Sequence, residues 1–296
     1  NSSSMKEFIL LGLSENQEVQ KIYFVVLLLF YTLTVAGNLL IVLTVMSSQH
    51  LNYPMYFFLC HPSFVDVCYS SATAPKMISG SLVENNTISF AGCIEQLFGL
   101  HFFGCTEIFI LTAMAYGCYV AICWPLHYPA LMSHRPCGCV LGSSWAGGFL
   151  HSSLQSLPTA LLPFCGPNKV DHYFCDVHPL LHLTCADRRT TGLAAVANSR
   201  VISVSCFLIL VVSYVVILVS LRGQTLAGWH KALSTCGSHI TVVILFFGPC
   251  TFVYICLSGD PSEDRSVAVF HTLITPVLNP LIYTLRNGEV KGAMKK

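Results

Sequence analysis

The chain has 296 residues, of which 54% are apolar and 10% charged, and its formal net charge is +1. Soluble domains carry roughly 25% charged residues, so these few charges cannot give a globule of this length a polar surface, which argues against a soluble enzyme or a disordered chain. The near-zero net charge offers no electrostatic footprint for nucleic acid.

Residues 1–20 are polar and lack the apolar core of a cleavable signal peptide. The first apolar run is therefore expected to act as an uncleaved insertion signal. Seven spans are predicted, at 22–46, 54–79, 93–124, 137–158, 193–221, 231–257 and 266–285. A membrane helix needs about 20 mostly apolar residues, whereas a β-barrel would show alternating segments of about 10 residues. Continuous runs favour helices, because every backbone polar group is then satisfied within its own segment. The expected fold is an all-α seven-transmembrane bundle, residues 1–296 forming one domain. Residues 286–296 are expected to form a short amphipathic helix on the inner surface. Val290, Ala293 and Met294 share its apolar face, and its lysines are drawn to anionic membrane lipid.

An odd number of spans puts the termini on opposite sides. With the N-terminus outside, Lys and Arg divide seven inside against eight outside, which decides nothing. Two glycosylation sequons, at Asn1 and Asn85, fall on one side together with most of the acids, and this favours an outer N-terminus. No internal repeat appears, as an inverted-repeat transporter would require.

Four of the fifteen cysteines lie on the outer side, Cys93 at the start of the third span and Cys165, Cys175 and Cys185 in the long loop. In an oxidising compartment they allow three disulfide pairings. One bridge from Cys93 to the loop would pin the loop over the bundle mouth. The Cys137-x-Cys139 and Cys236/His239 pairs read as ordinary helix residues, since no second ligand pair has zinc spacing.

Counting the third span from Gln96, inside Glu95 at its outer end, Asp66 and Glu107 are the only acids within the apolar runs. Intramembrane carboxylates are costly and are functional candidates. Asp66 lies 12 residues above Pro54 and Glu107 lies 11 residues above Cys118, or about 18 and 17 Å at 1.5 Å per residue. They therefore share a depth, with the amides of Asn38 and Asn279 nearby. Two bare carboxylates cannot both stay ionised in low dielectric. Either a hard cation such as sodium sits between them, or one is protonated and the pair ties helices together. Pro280, beside Asn279, frees a carbonyl and bends its helix; an Asn beside the kink can satisfy the freed group.

The chain resembles the olfactory receptors of the rhodopsin-like G-protein-coupled class. The resemblance rests on EFILLGLS at Glu7–Ser14, Gly37-Asn38, PMYFFL at Pro54–Leu59 leading to Asp66, and Met114-Ala-Tyr116 followed by Tyr119–Cys123 and Pro125–Tyr128. It continues in KALSTCGSH at Lys231–His239 and PVLNPLIY at Pro276–Tyr283. It implies a small volatile odorant bound in the outer half of the bundle, with His101, Gly104 and Cys105 on the third span, Asn198 and Ile202 on the fifth, Cys250 and Tyr254 on the sixth, and Val177 from the loop. It implies Cys93–Cys175 and Cys165–Cys185 disulfides, supports Asp66 and Glu107 as a sodium pair, and implies a stimulatory G protein as partner. Tyr214, His239 and Tyr283 are the implied inner switch residues.

Six residues at four places depart from the family pattern. Gly117 and Cys118 stand where the family has an acid and an arginine before Tyr119. Trp229 and His230 replace usual basic residues, Pro62 a usual Leu, and Phe247 a usual Tyr. The main expectation is a signalling odorant receptor. The rival is the same fold that binds ligand but couples poorly; a channel or transporter would need a continuous polar pathway that these spans lack. No enzymatic nucleophile–base constellation stands out.

Overall fold

The computed structural model describes residues 6–11, 16–48, 54–83, 86–165, 167–185, 188–222, 229, 236–248, 269–286 and 292. Its elements are β1 (Glu7–Leu10), α1 (Gln17–Ser47), α2 (Pro54–Gly80), β2 (Thr87–Ser89), α3 (Phe90–Cys123), α4 (Tyr128–Leu131), α5 (His134–Ala160), β3 (Lys169–Val170), α6 (Val177–Leu181) and α7 (Arg188–Leu221). Helix α8 (Cys236–Gly248) follows, then a π-helical turn at Phe270–Ile274 that runs into α9 (Thr275–Arg286). The seven expected spans fall on α1, α2, α3, α5, α7, α8 and the π-turn with α9. Among the described residues, Gln17–Ser47, Phe90–Cys123 and Ala197–Ser220 are long and apolar enough to cross a membrane. The expected helix at 286–296 lies, apart from Arg286 and Gly292, outside the described residues.

Large apolar side chains cover the outer surface of the bundle, and polar ones join the apolar clusters inside it. Helix α1 turns Ile22, Val25, Leu29, Leu40 and Leu43 outward, and α7 turns Val201, Val204, Leu208, Val212 and Val219 outward. Thr34, Asn38, Ser63, Asp66, Ser70, Thr106, Glu107 and Asn279 are buried instead. Lipid tails are as apolar as leucine, so burial of apolar surface does not drive these helices together; close contacts and hydrogen bonds do. Interior hydroxyls bond back to their own helices, as Thr34 Oγ1 does to Phe30 O at 2.9 Å and Ser70 Oγ to Asp66 O at 2.7 Å. Small residues set the tightest crossing. A Cβ on Gly148 of α5 would lie 2.1 Å from Thr106 Oγ1 and 2.9 Å from the Phe102 carbonyl oxygen of α3. One turn along, Ser152 Oγ donates to Phe98 O at 2.6 Å across the same contact.

The outer end amends the all-helical expectation. β1 pairs antiparallel with β2 (Glu7 opposite Ser89, Phe8 opposite Ile88) and parallel with β3 (Ile9 opposite Lys169, Leu10 opposite Val170). Phe8 and Leu10 point into a cap core with Cys93, Leu97, Val170, Cys175, Val177 and Leu180. The alternation of buried Phe8 and Leu10 with Glu7 and Ile9 is the strand period of two. The cap is closed by two disulfides, Cys93–Cys175 and Cys165–Cys185. Asn1, Asn85, Cys250 and Tyr254 lie outside the described residues.

The bend in α9 is satisfied from a different helix than the sequence suggests. Pro280 has no N–H, so the carbonyl of Pro276 loses its helical donor. Asn38 of α1 supplies the replacement, its Nδ2 donating to Pro276 O at 2.9 Å and also to Thr34 O at 3.0 Å. Gly37 makes this approach possible, because a Cβ there would already lie 3.3 Å from Pro280 Cβ and Cγ. Asn279, expected to serve the freed carbonyl, turns instead toward the acids of α2 and α3. Asn38→Ala is expected to lower unfolding stability by about 1–2 kcal/mol, the cost of stranding one buried carbonyl. In a Pro280→Ala background, which restores the N–H donor, the same change should cost clearly less. Equal costs in the two backgrounds, measured as thermal unfolding of the receptor in lipid nanodiscs, would refute this assignment.

Candidate functional site

Three polar groupings lie at different depths, and each joins residues far apart in sequence. The outer one hangs from the loop between β3 and α7. The Cys93–Cys175 disulfide ties this loop to the start of α3. Gln96 reinforces the tie: its Oε1 accepts from the Cys175 N–H at 2.9 Å and its Nε2 donates to Ala72 O of α2 at 3.1 Å. The chain then enters α6, whose first turn is capped by Asp176 Oδ1 accepting from the Val177 N–H at 2.7 Å. The same oxygen lies 3.3 Å from His101 Nε2 on α3. His101 meets His151 of α5 edge-on, with ring centroids 5.6 Å apart. His151 Nδ1 in turn lies 3.2 Å from Asn198 Nδ2 on α7. A loop carboxylate, two imidazoles and an amide thus form one chain across α3, α5 and α7. Gln155, one turn beyond His151, donates to Ser199 Oγ at 2.9 Å.

Of the expected odorant-site residues, the structure brings His101 and Asn198 into this chain, with Val177 adjoining Asp176. Val177 itself is buried in the cap core. Cys105 is buried on α3, and Ile202 packs against the inner core with Phe246 and Phe247. Gly104 faces away from the grouping: a Cβ there would lie 3.5 Å from Tyr69 on α2. His151 and Asp176 were not among the sequence candidates. His151 was legible as an ionisable residue within an apolar span. Asp176 was legible as the residue next to the bridging Cys175.

Burial raises the Asp176 carboxyl, but the His101 hydrogen bond and charge, the nearby His172 and the Val177 N–H outweigh it and hold the carboxyl below its usual range. Its side chain keeps 42% exposure, so the pairing is partly screened.

The midplane grouping is buried. Asp66 and Asn279 are 0% exposed and Glu107 is 2% exposed. Asn279 Nδ2 donates to Asp66 Oδ2 at 2.9 Å and to Glu107 Oε1 at 3.5 Å, so one amide bridges two carboxyls from two other helices. Asp66 Oδ1 and Asn279 Oδ1 are buried without a protein hydrogen-bond partner. Carboxylate and amide oxygens suit a small hard cation. Among the described residues no group of three or more His, Cys, Asp and Glu side chains that could hold a metal ion forms.

The inner grouping joins α3, α7, α8 and α9. Tyr214 of α7 hydrogen-bonds His239 Nδ1 of α8. Tyr283 of α9 is buried in the inner core with Leu111, Leu210 and Val243. Cys118 packs with Ile217, Leu221 and Cys236, flanked by Tyr119 and Trp229. The Tyr119 hydroxyl accepts from the Trp124 indole at 3.1 Å. A Cβ on Gly117 would lie 3.0 Å from Met132 Cε, the far end of a flexible side chain.

A membrane helix bundle with a disulfide-pinned outer loop, a midplane acid pair and a kinked last helix defines a rhodopsin-like receptor. The crystal structure of squid rhodopsin superimposes with a TM-score of 0.75, covering 95% of this chain and 80% of that one at 16% identity, which establishes the fold. The olfactory receptor family profile matches residues 27–296. Human olfactory receptor 4S2 is 58% identical over 294 residues, 99% of this chain and 94% of that protein. Human olfactory receptor 4X2 is 56% identical over 292 residues, 99% of this chain and 96% of that protein. Mouse olfactory receptor 4E2 is 53% identical over 295 residues, 100% of this chain and 96% of that protein. The chain belongs to the olfactory receptor family. It is a multi-pass plasma-membrane receptor of the odorant-sensing, G-protein-coupled class, and not an enzyme.

The outer grouping generates a pH-dependent prediction. Asp176→Ala removes both the α6 cap and the His101 partner, and should cost about 1 kcal/mol. Asp176→Asn keeps a cap and loses only the charge. Because the folded carboxyl sits below its ordinary value, its stabilisation is present above about pH 4 and lost as pH falls through the folded value. The thermal-midpoint gap between wild type and Asp176→Asn should therefore close in acid; a gap that widens there would contradict the pairing.

Proposed function

We propose that the receptor binds small volatile odorants in the outer half of the bundle, between α3, α5, α7 and α8 and beneath the disulfide-pinned loop, and signals through a stimulatory G protein to adenylyl cyclase. The observation that carries this reading is the Asp176–His101–His151–Asn198 chain, which sets oriented polar groups among apolar helices. A mostly apolar site with a few fixed polar groups orients a small ligand. Ligand binding can shift the bundle only by its differential affinity for two arrangements. The elements that would move carry the Tyr214–His239 contact and the Pro280 bend, which join the outer half to the inner face.

At the midplane, Asp66, Glu107 and Asn279 would hold a sodium ion, through the unpartnered Asp66 Oδ1 and Asn279 Oδ1 among others. Bound there, the ion supplies the positive charge that lets both carboxylates stay ionised. Sodium is expected to raise the thermal midpoint of the wild-type receptor, and Asp66→Asn or Glu107→Gln to abolish that dependence. A sodium effect unchanged in both variants would leave the pair as a helix tie only.

A second reading, a receptor that binds ligand and couples weakly, is favoured by the inner grouping. Gly117 and Cys118 bring no charge to the inner end of α3, and Cys118 lies in an apolar cluster. Cells expressing the chain, alone and as Gly117→Asp/Cys118→Arg, would be compared for cyclic AMP across a volatile panel. The expected outcome is a response at least tenfold larger in the restored receptor. Equal responses would sink the weak-coupling reading, and silence of both at normal surface expression would count against the signalling reading.

A further inference from the structure

Helix α6 has two faces. Val177, Leu180 and Leu181 are buried in the cap core. His178 and His182 are exposed on the opposite side. Residues four apart lie about one helical turn apart and face the same way. Their ring centroids are 5.0 Å apart, with the ring planes at 72°. Two imidazoles bound to one tetrahedral ion, with metal–nitrogen distances of about 2.0–2.1 Å, place their centroids about 5 Å apart. The edge-to-face contact thus holds the two rings at a spacing that one ion could span.

We infer that His178 and His182 form an outer-surface chelate for a divalent transition cation of the zinc or copper class. Imidazole nitrogen suits these ions, and histidines at i and i+4 are a recurrent way to hold one; here His178 lies in α6 and His182 is its C-cap residue, in helical backbone conformation. The pair supplies two ligands, so the ion exchanges and is not a structural requirement of the fold. This chemistry is separate from the midplane pair, whose oxygen donors suit a hard monovalent ion.

The scaffold makes the pair effective. A free five-residue helix would not persist in water. Here the segment is fixed just before its start by Cys175, bridged to Cys93, and just after its end by Cys185, bridged to Cys165. Asp176 caps the first turn. Leu180 and Leu181 anchor the inward face. Little conformational freedom is left to lose when an ion joins the two rings, and preorganisation of this kind strengthens binding. An ion across the outer face would hold α6 in the helical form whose cap, Asp176, also bonds His101. The chelate is thereby connected to the outer polar chain, and occupancy at one would bias the other reciprocally.

The test uses the full-length receptor in lipid nanodiscs and zinc chloride as the probe. Calorimetric titration is expected to show saturable binding that His178→Asn or His182→Asn weakens roughly tenfold or more, since even indirect partners of a metal site cost 10–100-fold. Both variants binding zinc as the wild type does would overturn the inference. A measurement on the unaltered chain stands beside this. Zinc should protect His178 and His182 from diethylpyrocarbonate modification, read by mass spectrometry, while leaving the other exposed histidines reactive. Equal modification of the pair with and without zinc would also overturn it.

Discussion

The bundle depends on one requirement of the membrane interior: every backbone polar group there needs a partner within the protein. Pro280 breaks that requirement at the Pro276 carbonyl, and Asn38 restores it from a helix 238 residues away in sequence. The repair has further consequences. It fixes α1 against α9 at van der Waals contact, which the missing side chain of Gly37 permits. It also relieves Asn279 of the repair. With its amide free to turn inward, Asn279 joins Asp66 to Glu107 and brings α2, α3 and α9 to one point. A bend and an acid pair that look like independent features along the chain are thus parts of one junction.

The outer and inner ends are built on different physics. Outside, covalent bridges, a short sheet and a buried cap core hold the loop and N-terminal strand in place. Rigidity there positions Asp176 above His101 and makes a fixed outer wall. Inside, the contacts among α3, α7 and α8 include a tyrosine–histidine hydrogen bond, a Cys123–Ser220 hydrogen bond and apolar side chains around the thiols of Cys118 and Cys236. Such contacts separate at modest cost compared with a disulfide. The fold is covalently braced at its outer end and held by non-covalent contacts at its inner end.

Much of this was legible in the sequence, and the rest was hidden for physical reasons. The helices followed from hydropathy, because long apolar runs in lipid have few alternatives. The shared depth of Asp66 and Glu107 followed from counting residues at a fixed rise. Asn38 was visible as an interior amide, but its partner is a main-chain carbonyl, and no side-chain pattern marks which carbonyl a proline has freed until the helices are packed. Gly104 shows the limit of position alone: its helix was right, but rotation about the helix axis turns it to Tyr69 of α2. The strand at Glu7–Leu10 was overlooked because four alternating residues are a weak signal beside runs of twenty. His151 and Asp176 each carried a local signal, but that they join one chain with His101 and Asn198 is a tertiary fact.

The inner end of α3 is where sequence and packing sharpen each other. An arginine at position 118 would extend a long charged side chain among Ile217, Leu221 and Cys236, and would need a partner or a route to water. A buried thiol needs neither, and Cys118 completes an apolar seam between α3, α7 and α8. Beside the arginine that the family resemblance implies, Cys118 brings no charge to the inner end of α3 and packs in an apolar seam. On the weak-coupling reading, a movement of α8 would uncover a surface that offers no guanidinium to a partner. Position 117 adds little resistance of its own, since its nearest neighbour is the mobile end of Met132. The weak-coupling reading thus turns on Cys118 more than on Gly117.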